Sequence, residues 1–208
     1  MNNRKKSVTI IANGQFPFHD IPLTILSNTD FIISCDGATD LLLKKGYKPN
    51  LIIGDLDSIS EKSRELFKDK IILNSDQSEN DLRKAINHSI DLGFKKINII
   101  GATGLREDHT IGNIFSIIKY PKSDIKIYTD SGLFRVIKDN QSVKSFHGQQ
   151  ISIFSPDNTI KITTSGLKYN INKNTLSTIF YGTLNESVKQ KISFKLSHGN
   201  IMIFQKFL

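Results

Sequence analysis

Six short runs of branched aliphatic residues punctuate the first two-thirds of this chain, and stretches with helical spacing lie between them. The runs are Val8–Ala12, Phe31–Cys35, Leu51–Gly54, Lys70–Leu73, Ile97–Ile100 and Ile125–Tyr128. Most are unbroken apolar segments rather than alternating ones, the pattern of strands covered on both faces. Helical stretches are read at Ala38–Lys45, Glu61–Lys68, Asn80–Leu92 and Ile111–Lys119. In the third, Leu82, Ala85, Ile86, Ser89 and Ile90 share one face, and Gly93 supplies a C-terminal stop. Strand–helix alternation through short connections predicts an α/β fold with a doubly wound, mostly parallel sheet and helices on both faces.

Beyond about Asp130 the pattern changes. Ile151–Ser155, Thr159–Thr164, Ser177–Gly182, Lys191–Leu196 and Ile201–Gln205 read as strands, with no convincing helix among them. Lys191, Ser193 and Lys195 alternate with Ile192, Phe194 and Leu196, as in a half-exposed antiparallel strand. Ser197-His198-Gly199-Asn200 is expected to be a hairpin turn between the last two strands. These features predict a smaller C-terminal all-β sandwich domain at 134–208 after an α/β domain at 1–133, the boundary falling within Asp130–Asn140.

Charge and cysteine content bear on partners and compartment. The 208 residues carry a formal charge of +8, but the lysines are scattered rather than gathered into a basic arm. This favours a small anionic ligand over nucleic acid. Cys35 is the only cysteine, so no disulfide within the chain is possible. No apolar run approaches the length of a membrane span. After the basic Met1–Lys6 segment, Ser7–Ile11 is too short for the core of a signal peptide. A cytoplasmic protein without membrane or nucleic-acid partners is expected.

In doubly wound sheets ligands bind beyond the carboxyl ends of the strands, and polar residues gather there in this chain. The first strand runs into Asn13-Gly14, the second into Asp36-Gly37, and the third into Gly54-Asp55-Leu56-Asp57-Ser58. The fourth leads to Asp76-Gln77 and Asp81, and the fifth to Gly101-Ala102-Thr103-Gly104, then Arg106, Asp108 and His109. Two carboxylates about 4 Å apart repel by roughly 4 kcal/mol at an effective dielectric near 20. A crowd of them therefore implies spreading or a cation, and oxygen donors suit Mg²⁺. Asp81 also suits a helix N-terminus, and Arg106 could clamp a phosphate or pair with a neighbouring acid. Gly101 and Gly104 would let backbone N–H groups approach a phosphate, or simply serve a tight turn. His109 reads as a structural hydrogen-bond donor and Cys35 as a small packed hydrophobe.

Taken in order, these loops resemble the thiamin pyrophosphokinase family. Cys35-Asp36-Gly37-Ala38 is similar to its Asp-Gly-Ala/Gly segment and Gly54-Asp55-Leu56-Asp57-Ser58 to its Gly-Asp-Phe/Leu-Asp-Ser signature. Asp76-Gln77 with Asp81 resembles Asp-Gln-x-x-Thr-Asp, and Gly101–His109 resembles Gly-Ala-Thr-Gly-Gly-Arg-x-Asp-His. Gly166-Leu167-Lys168-Tyr169 is similar to a segment of the family's β-domain. The resemblance implies an ATP-binding α/β catalytic domain, a β-sandwich for thiamin binding and dimerisation, and a homodimer. It implies transfer of diphosphate from ATP to the thiamin hydroxyl with Mg²⁺. By the same resemblance, Asp55, Asp57 and Asp81 would hold the metal and, with Asp108, form the catalytic set. Asn13, Gly14, Asp36, Gly37, Gly101, Thr103, Gly104 and Arg106 would bind ATP or its phosphates, and Gln77, Asp81, Asn185 and Phe204 would meet thiamin. The chain departs from the pattern at Asn80 (family Thr), Leu105 (family Gly) and Leu184 (family Ser). A positive φ at position 105 would be costly for Leu. Other readings are a different Mg²⁺-dependent Asp-x-Asp nucleotide transferase, or a basic nucleic-acid-binding module.

Overall fold

Strands that are apolar throughout need cover on both faces, and in the computed structural model the first part of the chain has it. The structure describes residues 7–76 and 78–208; Gln77 and Met1–Lys6 lie outside them. The chain divides into two compact units, one reaching Ser116 and including Lys122–Asp130, the other comprising Ile117–Pro121 and Ser131–Leu208.

In the first unit the strands are β1 (Ser7–Ile11), β2 (Ile32–Cys35), β3 (Leu51–Gly54), β4 (Ile71–Leu73), β5 (Lys96–Ile100) and β6 (Asp124–Tyr128). Between them run α1 (Asp20–Ser27), α2 (Asp36–Lys44), α3 (Glu61–Leu66), α4 (Asp81–Asp91) and α5 (Glu107–Ser116). Successive residues Val8, Thr9, Ile10 and Ile11 are all buried, and successive side chains point to opposite faces. Both faces of β1 are therefore covered. The strand order is β6-β5-β1-β2-β3-β4, all parallel, with Ile10 opposite Ile33 on one side and Ile99 on the other. The chain walks outward from β1 to β4, then returns to place β5 on the other flank of β1. That reversal puts a topological switch point between β1 and β5, where the loops leaving the two strands diverge.

The expected strands are all present, and the helices differ mainly at their starts. Helix α2 begins at Asp36 and α5 at Glu107, earlier than Ala38 and Ile111, with an acid favouring each first turn. Helix α1 was not expected. Its cap is unusual: His19 Nδ1 accepts the Ile21 N–H at 3.1 Å, and Pro22 sits in the first turn, where its missing N–H costs nothing. Asp130 Oδ1 accepts the N–H groups of Phe18 and His19 at 2.8 and 2.9 Å, fixing the entry to this helix from the far end of the unit.

The second unit holds β7 (Gly132–Ile137), β8 (Gln141–Lys144), β9 (Gln150–Phe154), β10 (Ile162–Ser165), β11 (Asn185–Glu186), β12 (Lys191–Leu196) and β13 (Ile201–Lys206). One antiparallel set runs β11-β9-β13-β7 and the other β10-β12-β8. Ile137, Ile153 and Ile203 from the first set pack in one core with Val143, Ile162 and Phe194 from the second, so this unit is the sandwich its sequence implied. Two local expectations fail. Ser197–Asn200 is not a hairpin turn: β12 pairs with β10 and β8, β13 with β7 and β9, so the link carries the chain from one sheet to the other. Ser177–Gly182 is not a strand either. Its amides close local turns, Tyr181 N to Thr178 O and Thr183 N to Phe180 O, and only Gly182 O meets a strand, accepting from Ile153 N at 2.7 Å.

Candidate active site

At the switch point the loops after β1 and β5 are joined by backbone hydrogen bonds. Gly14 N donates to Gly101 O at 2.7 Å and Gln15 N to Thr103 O at 2.8 Å. A Cβ on Gly14 would collide with Gly101 O and come within 2.6 Å of Thr103 O, so this contact admits glycine alone. The loops border a cavity of about 370 Å³ whose lining includes Asn13, Gly14, Asp81, Thr103, Arg106 and Asn113. Asn80 and Asn113 fix its walls. Asn80 caps α4 by accepting the Arg83 N–H at 3.1 Å, and its Nδ2 donates to Asn113 Oδ1 at 2.9 Å. Asn113 Nδ2 in turn donates to Ala102 O at 2.9 Å. Threonine would cap equally well, but it lacks the amide arm that reaches Asn113. Only the structure brings out Asn113, because nothing in its local sequence separates it from an ordinary helix residue.

The acidic residues gather beside this cavity. Asp36, Asp55 and Asp57 each place one carboxylate oxygen within 4.8 Å of the others, so Asp36 completes a trio with the two acids after β3. Asp36 is buried; its Oδ1 accepts Gly37 N at 2.6 Å and its Oδ2 accepts Leu56 N at 2.9 Å. A Cβ on Gly54 would sit 2.5 Å from Asp36 Cγ, so the glycine ending β3 makes the seat for this carboxylate. Gly37 serves Asn13 similarly, since a Cβ there would strike the Asn13 amide. Burial, and then the negative charge of Asp81, push Asp36 up to about 6. The same two causes, with Asp36 added, push the buried Cys35 thiol well above its usual range. Asp81 lies outside the trio and pairs with Lys84 Nζ at 3.2 Å. Lys84 is 4% exposed, an unusual place for an ammonium. In sequence it was one more helical lysine, and only its burial against Asp81 distinguishes it.

In the loop after β5 an acidic charge is already balanced. Arg106 grips Asp108 with two hydrogen bonds, Nε to Oδ1 at 3.1 Å and Nη2 to Oδ2 at 2.6 Å. This fork holds Asp108 at about 2. Both side chains are about two-thirds exposed. Gly101 and Gly104 take φ of 72° and 96°, whereas Leu105 is not among the residues with positive φ. The Gly-to-Leu departure is thus accommodated without left-handed strain. His109 lines the cavity.

Two of the residues expected to meet thiamin lie in the second unit. Asn185 is buried on β11 and its amide is occupied at both ends: Nδ2 donates to Tyr169 O at 2.8 Å, and Oδ1 accepts Tyr169 N at 3.2 Å. Phe204 on β13 has its ring centroid 4.7 Å from that of Phe134 and covers Gly132. Gln77, expected beside them, lies outside the described residues.

Comparison with known proteins identifies the family. Residues 23–129 match the family described as thiamin pyrophosphokinase, catalytic domain, and residues 132–204 match thiamin pyrophosphokinase, substrate-binding domain. A thiamine pyrophosphokinase of Bacillus subtilis is 29% identical over 185 residues, covering 80% of this chain and 82% of the relative. Among solved structures, the thiamin pyrophosphokinase of Geobacillus thermodenitrificans superposes with a TM-score of 0.81 at 22% identity, over 97% of this chain and 98% of that one. The yeast thiamin pyrophosphokinase superposes with a TM-score of 0.76 at 19% identity, over 99% and 88%. Catalytic-domain and substrate-binding-domain matches in the same order, together spanning most of its length, make this chain a member of the thiamin pyrophosphokinase family.

Proposed function

We propose that the chain catalyses the reaction its family is named for, moving the diphosphate of ATP to the hydroxyl of thiamin and yielding thiamin diphosphate and AMP. The observation that carries this reading is the convergence of Asp36, Asp55 and Asp57 within 4.8 Å at the carboxyl ends of β2 and β3. Three carboxylate oxygens so close form a hard, anionic donor set. The set fits Mg²⁺, with Asp55 and Asp57 as the principal ligands, Asp36 supporting them, and Asp81 contributing from its place beside Lys84. When bound, Mg²⁺ would neutralise triphosphate charge and make the β-phosphorus more electrophilic.

The chain's own residues would do the positioning that dominates phosphoryl transfer. Gly14, Thr103 and the backbone of the Gly101–Gly104 loop would border the triphosphate, with Asn13 packed on Gly37 beside it. Arg106 would turn its fork from Asp108 toward phosphate oxygens, and Asp108 would return to it as product leaves. The thiamin oxygen would attack the β-phosphorus, and the bond from that phosphorus to the oxygen of AMP would break. In the second unit we assign thiamin recognition to Phe204 and to Asn185, the latter acting through the Tyr169 segment it braces; for Gln77 the assignment rests on the family motif alone. A homodimer working in the cytoplasm completes the proposal.

The test is AMP release from ATP with and without thiamin, in Mg²⁺ and in EDTA. AMP and thiamin diphosphate should appear only with thiamin and Mg²⁺ together. AMP formed at the same rate without thiamin would sink the substrate assignment.

A further inference from the structure

The Asp-x-Asp turn has an unusual residue at its centre. Leu56 adopts φ of 68°, a left-handed conformation that is costly for a non-glycine residue. Both of its backbone polar groups are gripped. Its N–H donates to Asp36 Oδ2 at 2.9 Å, and its carbonyl accepts from Arg64 Nη2 of α3. Its side chain packs against the cluster of Ile52, Ile59 and Phe67. With the peptide planes on either side of its Cα tied down, φ and ψ of Leu56 are set from outside, and with them the positions of Asp55 and Asp57.

Arg64 holds this place at a cost. Its Nε is buried and has no hydrogen-bond partner among the described residues, a deficit that interior polar groups normally avoid. Lys62 and Glu65 of the same helix, by contrast, are exposed. The turn must also resist its own charges, since carboxylates within 4.8 Å of one another repel. Left to itself, such a turn would relax to an ordinary right-handed or extended conformation and let its carboxylates spread.

We propose that Arg64 is a positioning residue for the metal: by clamping the Leu56 carbonyl it keeps the Asp36–Asp55–Asp57 trio assembled before a cation arrives. This rests on the metal reading given above. Arg64 acts through the Leu56 backbone. Its loss should weaken cation binding, because part of the binding free energy would then be spent on reassembling the turn. Once the cation saturates the site, turnover should be nearly normal.

The experiment measures Mn²⁺ binding to the substrate-free protein by electron paramagnetic resonance, alongside thermal unfolding and the Mg²⁺ dependence of turnover. Arg64→Met is expected to weaken Mn²⁺ binding about tenfold, to raise the Mg²⁺ needed for half-maximal rate by a similar factor, and to leave kcat at saturating Mg²⁺ within about threefold of the parent. Arg64→Lys, which keeps a cation on a flexible stem but not the planar fork, should fall between the two. Mn²⁺ affinity within twofold of the parent in Arg64→Met, whether or not its melting temperature drops, overturns the clamp and leaves Arg64 a structural residue only. If Arg64→Met does not fold, parent-like affinity in Arg64→Lys overturns it equally. Asp57→Asn separates the two readings: unchanged Mn²⁺ binding there would show that the trio is not the metal site, and the clamp would fall with it.

Discussion

Two carboxylate groups, each next in sequence to a residue that lines the cavity, are treated in opposite ways. Asp36 is buried, faces the charge of Asp81, and is pushed up to about 6. Asp108 is exposed, sits in the fork of Arg106, and is held at about 2. The first group gathers carboxylates with no counter-charge in the trio itself, which is what suits it to the proposed cation. The second carries its own counter-charge and can exchange it for another anion. Acidic residues at neighbouring strand ends are therefore not one feature: under the proposed function the side of β2 and β3 would serve a metal, and the side of β5 phosphate. Four outcomes would break or sharpen that contrast.

The largest effect is expected on the metal side. Asp57→Asn removes one member of the trio and should lower thiamin-dependent AMP formation by about 10³-fold, the scale on which removing a group that stabilises transition-state charge is felt. A loss below tenfold would mean that the trio is not where the charge is managed. Next comes Gly54→Ala. The new Cβ would meet Asp36 Cγ at 2.5 Å, so Asp36 must leave its seat and activity should fall about 10²-fold. Near-parental turnover would show that the Asp36 position is dispensable.

On the phosphate side Arg106→Ala should cost less, about tenfold in kcat/KM for ATP, because this exposed guanidinium exchanges one anion for another rather than offsetting a buried charge. A loss as large as that of Asp57→Asn would erase the distinction between the two sides. The smallest effect concerns an acid that belongs to neither. Asp40 accepts Ser60 N at 2.9 Å and Ser60 Oγ at 2.7 Å, and also bonds Ser63 Oγ. These donors hold it below the usual range, against a desolvation that would raise it. Its folded pKa is depressed, so its contribution is present above the unfolded value near 4 and is lost as pH falls below that. Asp40→Ala should lower stability by about 1–2 kcal/mol at neutral pH in denaturant titrations, with the difference shrinking below pH 4.

How much of this was legible in sequence differs between the two units. In the first, both-face burial makes the central strands near-continuous apolar runs, and each of its six strands could be located, although Asn98 and Lys126 interrupt β5 and β6. The glycines and acids at their ends marked the site because the fold places all strand ends on one edge. Helix α1 escaped because His19 caps it and Pro22 lies in its first turn, signals that read equally well as a loop. In the second unit, Ser177–Gly182 had strand composition, but its amides found closer partners in local turns. Ser197–Asn200 had hairpin composition, but the core needed one of its flanking strands in each sheet.

The order of βα units, the gathering of Asp36, Asp55, Asp57 and Asp81 on one edge, and the family itself were determined by the sequence, because periodicity and motif order are properties of the chain. Which acid joins the trio, which is paired to buried Lys84, and which is already neutralised by Arg106 were decided only by tertiary structure. Those assignments depend on distance, burial and the direction of individual side chains. Leu56 shows the physical reason most plainly: nothing in the letters around it announces a left-handed residue, and its conformation is set by Asp36, twenty positions before it, and by Arg64 on the helix beyond.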